Sequence, residues 1–388
     1  MDKRVYLLMF VSFIAGMSEL IIVGILDLVA NDLHISLSQA GLLITVFSIT
    51  FAISAPILLV VTSRMERKKL TLLSLFVFFG ANILASFSTV YALLIIARIL
   101  AAISGSLLVV LSITIVSRIT EVQRRGKAIG LVFMGISGSL VLGVPIGLMI
   151  GNRFGWQSPF LFISILTVIA TAGIYFLMEP VTASQPIPLK TQWDSLKERK
   201  VLFAHVTTFL FLAGHYTLYG YLSPFLKTVI GLNETWVTIT YWIFGIAAVT
   251  GGGLGGTFAD RLGAKPTILT VIVVFVLTLF VIPFTAAFLP FFLVMLAVWG
   301  IMSWALAPPL QNHLITIAPG TSDVQQSLNN SALHLGIALG SLNGSLVVEH
   351  ASIEWNAAAG AVVLLFALGS ALISFHQSSY KQVAVSKN

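Results

Sequence analysis

Twelve times along this 388-residue chain an apolar run recurs that is long enough to cross a bilayer as a helix. The runs lie near 6–28, 40–61, 70–88, 91–116, 128–150, 158–178, 201–226, 236–258, 267–288, 290–312, 327–348 and 355–375. A chain that places this much of itself in hydrocarbon must satisfy its backbone hydrogen bonds within each segment, which leaves helices or a closed barrel. Runs of about twenty residues choose helices. The expected fold class is therefore an all-α membrane protein with twelve transmembrane helices. Only 9% of residues are charged, against about 25% in soluble domains, and no soluble domain is visible. Cysteine is absent, which removes disulfides, thiolate metal sites and cysteine nucleophiles. No metal and no cofactor is expected. The first run follows Asp2-Lys3-Arg4, is too long for a signal-peptide core and ends in no cleavage-like site, so it reads as a retained helix.

Most connections are short. The exception is 179–200, where Pro180, Pro186 and Pro188 precede Lys197-Glu198-Arg199-Lys200. It reads as a cytoplasmic linker between a six-helix half at 1–178 and a second at 201–388 with a short tail. With the N-terminus in the cytoplasm, the inner segments carry 18 Lys and Arg and the outer loops only Arg153 and Lys227. Arg98 lies inside the fourth run. This asymmetry predicts a multi-pass protein of the cell (inner or plasma) membrane with both termini cytoplasmic. It also accounts for the net charge of +7 without a nucleic-acid partner.

The halves read as a repeat. Aligning Arg64 with Arg261 gives an offset of 197. Within a residue or so, that offset carries Gly138, Gly143 and Gly147 onto Gly336, Gly340 and Gly344. It carries Glu19 onto Tyr216, beside His215. Glu19 stands 13 residues after Tyr6, roughly 20 Å along the axis and inside the hydrocarbon. A carboxylate there is costly unless protonated, paired or wetted, so its default role is functional. The alternative is a permanently protonated or paired packing acid. Asp27 follows eight residues later, within about a quarter-turn of the same face.

Gly256-Thr257-Phe258-Ala259-Asp260-Arg261-Leu262-Gly263-Ala264-Lys265 resembles the cytoplasmic loop motif G-x-x-x-D-R-x-G-x-K of the major facilitator superfamily. The resemblance implies gating roles for Asp260, Arg261, Gly263 and Lys265. The first-half copy departs from the pattern, with Leu59, Ser63 and Glu66 where the motif has Gly, Asp and Gly. Arg98 resembles the buried arginine of the family's fourth helix. It sits at about the depth of Glu19, which allows the two to pair or to exchange partners during proton release. Gly138-Ser139-Leu140-Val141-Leu142-Gly143-Val144-Pro145-Ile146-Gly147 is similar to the antiporter motif G-x-x-x-G-P-x-x-G, in a looser spacing around Pro145. Close helix packing is the plainer account of those glycines.

The narrower resemblance is to bacterial purine base and ribonucleoside efflux pumps, within the twelve-span drug:proton antiporter family. It is carried by Gly16-Met17-Ser18-Glu19-Leu20, Ala213–Tyr221, Trp299–Pro308 and Asp323–Leu333. It implies a proton-coupled exporter of small molecules working by alternating access, functional as a monomer, with the lipid bilayer and protons as its other partners. Asp27 stands where that branch would have Pro. Two acids so spaced favour a multidrug/proton antiporter instead, and a sugar exporter of the same family is a further alternative.

Proton coupling is expected at Glu19, Arg98 and Asp27. His215 and Tyr219 share a face, Trp299, Ser303 and Trp304 fall on one side of the tenth run, and Asn329, Asn330 and His334 cluster in the eleventh. Rings would stack a planar base while amides and imidazole read its edge. Interhelical hydrogen bonds and an interfacial aromatic belt are the competing account, preferred for Trp236 and Trp355. An enzyme is not expected. Gly135-Ile136-Ser137-Gly138 matches the G-x-S-G of intramembrane serine proteases, with His205 or His215 as a base, but the pattern is short and two repeated halves do not suit it. No G-x-x-x-x-G-K-[ST] phosphate loop occurs.

Overall fold

A computed structural model describes residues 2–182 and 196–385. Most of the expected linker, including Lys190, lies outside the described residues, as does Lys387. The described chain is helical and holds no strand. Twelve of its helices are long and apolar enough to cross a membrane. They are α1 (Lys3–Asp32), α2 (Leu37–Val61), α3 (Arg67–Ser86), α4 (Tyr91–Ile119), α5 (Arg125–Phe154) and α6 (Ser158–Leu177), then α7 (Arg199–Thr228), α8 (Glu234–Leu262), α9 (Ala264–Thr285), α10 (Leu289–Ile317), α11 (Val324–His350) and α12 (Trp355–His376). Each expected run falls on one of these, and the helices extend a few residues into the polar flanks.

Local chemistry sets the ends. Asp2 caps α1 by accepting from the Arg4 N–H at 2.9 Å. Ser36 and Gln39 form a reciprocal capping box on α2. Asn233 caps α8 through the Trp236 N–H at 3.0 Å. Gly263 alone separates α8 from α9, at φ +91, a backbone conformation that costs only glycine nothing. That turn gives the second-half loop motif its glycine.

Three spans are interrupted. In α7 the helix breaks at Gly220-Tyr221, just ahead of Pro224. In α10 it breaks at Leu306, before Pro308-Pro309. Proline lacks the N–H that would continue either ladder. In α5 the interruption is a π-turn over Ser139–Gly143.

Chain contacts group the protein into two compact units, Met1–Pro186 and Ile187–Asn388. In the first unit α1 is the most enclosed helix, with 78% of its apolar window buried against 33% for α6. In the second unit α7 holds that place at 67%. The same glycine device seats both. A Cβ on Gly135 would meet the Met9 carbonyl, one on Gly143 would meet Met17 at 3.0 Å, and one on Gly147 would strike Ile21. In the second unit Gly336 faces the Phe209 carbonyl, Gly340 that of Ala213, and Gly344 that of Thr217 at 2.5 Å. Each stripe lets a neighbouring helix lie directly on the first helix of its own half.

Gly138 and Gly143 are five residues apart, and Gly336 and Gly340 four. An unbroken α-helix would turn residues five apart to different faces. The π-turn, with its i to i+5 bonding, brings them back together. Gly138 accordingly faces Phe13 at 3.6 Å while Gly143 faces Met17. The looser spacing of the first-half motif is thus absorbed by one wide turn. The same packing explains Gly135 and Gly138 of the G-x-S-G pattern.

Candidate functional site

In the first unit the site is built around one turn of α1. Arg98, on α4, is 1% exposed. Its Nη1 donates to the Ser18 carbonyl at 2.6 Å and its Nη2 to the Glu19 carbonyl at 3.4 Å. The guanidinium lies 4.1 Å from the centre of the Phe47 ring, on α2, a cation–π contact away from bulk water. Ser18 Oγ donates to Asn82 Oδ1 at 3.0 Å, and Asn82 Nδ2 donates to the Phe78 carbonyl at 2.8 Å, both on α3. α4 therefore holds the backbone of residues 18 and 19 through Arg98, α3 holds the Ser18 side chain through Asn82, and α2 backs the guanidinium with Phe47. On another side a Cβ on Gly16 would meet the Ser139 side chain, so the π-turn of α5 rests against the same turn.

The Glu19 side chain is half-buried and within electrostatic reach of Arg98. Arg98 grips the carbonyls beneath the Glu19 side chain. A guanidinium is suited to this because it is always charged and presents several donors in a plane. Asp27 is half-buried as well, but eight residues further along α1 it stands about 12 Å from Glu19 along the axis. Asp27 is outside the cluster around Arg98.

In the second unit Trp299, on α10, donates from Nε1 to His215 Nδ1, on α7, at 3.0 Å. Around that bond the rings close into a box. His215 stacks on Tyr219 with centroids 4.9 Å apart and lies parallel to Phe244 of α8 at 6.2 Å. Trp299 meets Phe244 edge-on at 5.2 Å. Trp299 is fully buried, and His215, Tyr219 and Phe244 are nearly so. The structure thus brings together three of the expected ligand residues, His215, Tyr219 and Trp299. In this arrangement the rings cover much of one another's faces. Phe275 of α9 closes the box 5.7 Å from His215, and like Phe244 it has nothing but its apolar character to mark it in the sequence.

The other candidates are placed differently. Ser303 is buried and donates to the Gly300 carbonyl of its own helix at 2.7 Å. Trp304 and Asn330 are half-buried. Asn329 Oδ1 accepts from Thr208 Oγ1 at 2.5 Å, so it works as an α7–α11 hydrogen bond. His334 is buried on α11. His205 Nε2 bonds Gln325 Oε1 at 2.8 Å, between the same two helices. Among the described residues no group of His, Asp and Glu converges as a metal site.

At the loop motifs, Asp260, Arg261, Gly263 and Lys265 are all exposed at the α8–α9 turn. The divergent first-half copy does something else. Glu66 accepts from the Lys68 and Lys69 N–H groups at 2.7 and 3.0 Å, capping α3, and from the Val181 N–H at 2.8 Å. The Arg67 N–H returns a bond to the Val181 carbonyl at 2.9 Å. Burial opposes the Glu66 charge, but the Val181, Lys68 and Lys69 N–H groups and the Lys69 ammonium outweigh it and hold its carboxyl below the usual range. Arg118 donates to the Thr182 carbonyl at 2.7 Å and Arg4 pairs with Glu179 at 3.0 Å. The chain leaving α6 is strapped across its own unit by these residues.

Comparison with known proteins agrees with this architecture. The family model of the Major Facilitator Superfamily matches residues 8–341. This chain belongs to that superfamily. An uncharacterised MFS-type transporter of Bacillus subtilis strain 168, YbcL, is 37% identical over 367 residues, covering 94% of each chain. A second from that strain, YtbD, is 30% identical over 363 residues, covering 92% of this chain and 91% of its own. Among solved structures, a bacterial homologue of the human lysosomal transporter Spinster, in an inward-facing and occupied conformation, aligns with a TM-score of 0.73. That alignment covers 97% of this chain and 96% of the other at 15% identity, a likeness of fold. The protein is a multi-pass membrane transporter of this superfamily. The glycine-seated α1 and α7 are the facilitator repeat seen twice in one chain.

Proposed function

We propose that this transporter is a proton-coupled exporter of a small organic solute, a purine base or nucleoside in first place, working by alternating access. The observation that carries the coupling is Glu19. A half-buried carboxylate in the middle of the most enclosed helix is held on a turn fixed by Arg98, Asn82 and Ser139. A group so placed can change charge while the backbone beneath it stays put. In this reading Glu19 takes a proton outside and releases it inside, and solute leaves against that flow. The halves are 1–178 and 201–388, joined by a cytoplasmic linker at 179–200. Both termini are cytoplasmic, the membrane is the cell membrane and one chain suffices. Asp260, Arg261, Gly263 and Lys265 gate the cytoplasmic side, and Gly138, Gly143, Pro145 and Gly147 seal α5 on α1.

Substrate preference is supported by the polar edges of His215 and Tyr219, held by Trp299, and by Trp304, Asn330 and His334 of the same unit. Asp27, half-buried on the same helix as Glu19, favours the second reading, a multidrug/proton antiporter. The test is transport in proteoliposomes under an imposed pH gradient, with hypoxanthine, guanosine, a pentose and a cationic dye. Gradient-driven movement of purines supports the first reading. Movement of the dye alone moves the assignment to the second. Transport indifferent to the gradient removes proton coupling.

A further inference from the structure

The bond between Trp299 and His215 has a chemical consequence. An indole N–H can only donate. With Trp299 Nε1 3.0 Å from His215 Nδ1, that imidazole nitrogen must accept and cannot carry a proton. An imidazolium, which donates from both nitrogens, would set N–H against N–H. His215 is therefore neutral, and its single proton sits on Nε2. Beside it stands a buried polar group with no hydrogen-bond partner among the described residues, the hydroxyl of Tyr219, which is 1% exposed. Buried hydroxyls nearly always find one. The two rings stack on one another, with Phe244 parallel to His215, so what His215 and Tyr219 offer is their edges.

We propose that the His215–Tyr219 pair reads the transported molecule edge-on by donating hydrogen bonds, so that the substrate is a neutral heteroaromatic with an acceptor edge and not an organic cation. This deepens the purine reading above and rests on it. Stacking of such a molecule falls to the half-buried Trp304 rather than to the box. Trp299 is a positioning residue, since it acts only by fixing which His215 nitrogen holds the proton. His215 Nε2–H can only donate, so a protonated amine brought to it would set donor against donor; the Tyr219 oxygen can accept as well as donate, and discrimination against cations therefore falls to His215.

Two measurements test this on the purified full chain. The first needs no ligand. Nitrogen NMR of histidine-labelled protein, with His215 assigned by its loss in His215→Gln, should show Nδ1 bare and Nε2 protonated at pH 7. In Trp299→Phe that pattern should give way to mixed tautomers. A proton on Nδ1 in the parent, or an unchanged pattern in Trp299→Phe, overturns the inference. The second compares binding of hypoxanthine with its 3-deaza and 7-deaza analogues, each lacking one ring acceptor. At least one analogue should bind the parent about tenfold or more weaker. His215→Phe should erase that difference, while His215→Gln, whose amide can still donate, should keep part of it. Equal discrimination in His215→Phe overturns the inference while leaving a purine exporter intact. Failure of every purine to bind, with the tautomer as expected, sinks the purine reading alone. Binding of a cationic dye that is lost in His215→Phe overturns both.

Discussion

At the scale of single residues, two accounts of Glu19, a proton carrier and a paired packing acid, predict different outcomes for one substitution. A buried acid that merely pairs with Arg98 would leave the arginine stranded when neutralised, at a cost of about 3–5 kcal/mol. Here Arg98 keeps the Ser18 and Glu19 carbonyls and the Phe47 ring whatever the carboxyl does. Glu19→Gln is therefore expected to fold and to bind substrate as the parent does. Uphill export driven by a pH gradient should vanish, while substrate–substrate exchange persists. Proteoliposome flux with and without the gradient checks this, and full gradient-driven export by the variant would transfer the role to Asp27. Glu66 supplies a stability prediction. Its carboxyl is held below the ordinary value of about 4.3. A depressed folded-state value adds stability above the unfolded value, lost as pH falls through the folded one. Glu66→Gln should lower the melting temperature at pH 7 and flatten the loss of stability on acidification below about pH 4.3. A parallel pH dependence in parent and variant would mean that the strap at Val181 carries no such charge.

Among helices, what the sequence disclosed and what it hid divide along one line. Hydrophobic length is additive and local, so the twelve spans were legible, as was the glycine correspondence between α5 and α11. The π-turn was not, because Ser139–Gly143 differs from an ordinary helical stretch only in how its bonds close. Its trace was the five-residue gap between Gly138 and Gly143. The ring box was half legible. His215, Tyr219 and Trp299 stood out as polar or large, but Phe244 and Phe275 look like any core phenylalanine, and only packing shows that the faces are covered. The Glu66 strap was hidden because Val181 contributes through its backbone. Packing between helices also gives a graded test. On α8, a Cβ at Gly251 would meet the Ile301 carbonyl and one at Gly255 the Ala305 carbonyl, whereas at Gly252 and Gly253 it would meet nothing within 4 Å. Gly251→Val and Gly255→Val should each cost about 1–3 kcal/mol through forced separation of α8 from α10. Gly252→Ala and Gly253→Ala should be neutral or slightly stabilising, since alanine is the better helix former. Melting temperatures of the four proteins in one detergent decide it, and equal losses at all four positions would refute the packing argument.

For the whole molecule, the charge carried per cycle distinguishes the two substrate readings without a structure of either complex. If Glu19 moves one proton inward for each neutral purine moved outward, one positive charge crosses per cycle. Both the membrane potential, about 2.3 kcal/mol per 100 mV, and the pH difference, about 1.4 kcal/mol per unit, then drive export. Together at about 100 mV and one pH unit they support an outward gradient of a few hundredfold. If the substrate is instead a monovalent cation, one charge enters as one leaves, and the potential does no work. A potassium diffusion potential of about 100 mV set across proteoliposomes with no pH difference should therefore concentrate a neutral purine about fiftyfold. A cation exchanged for one proton should not be concentrated at all. A pH step alone should drive both. Should Asp27 carry a second proton, the cation would respond to the potential too, and Asp27→Asn would abolish that response while leaving the response to pH. The expected outcome for this transporter is purine accumulation under the potential alone, lost in Glu19→Gln. Purine flux that answers to the pH step but ignores the potential would show that no net charge crosses, and the single-proton exchange at Glu19 would have to be abandoned.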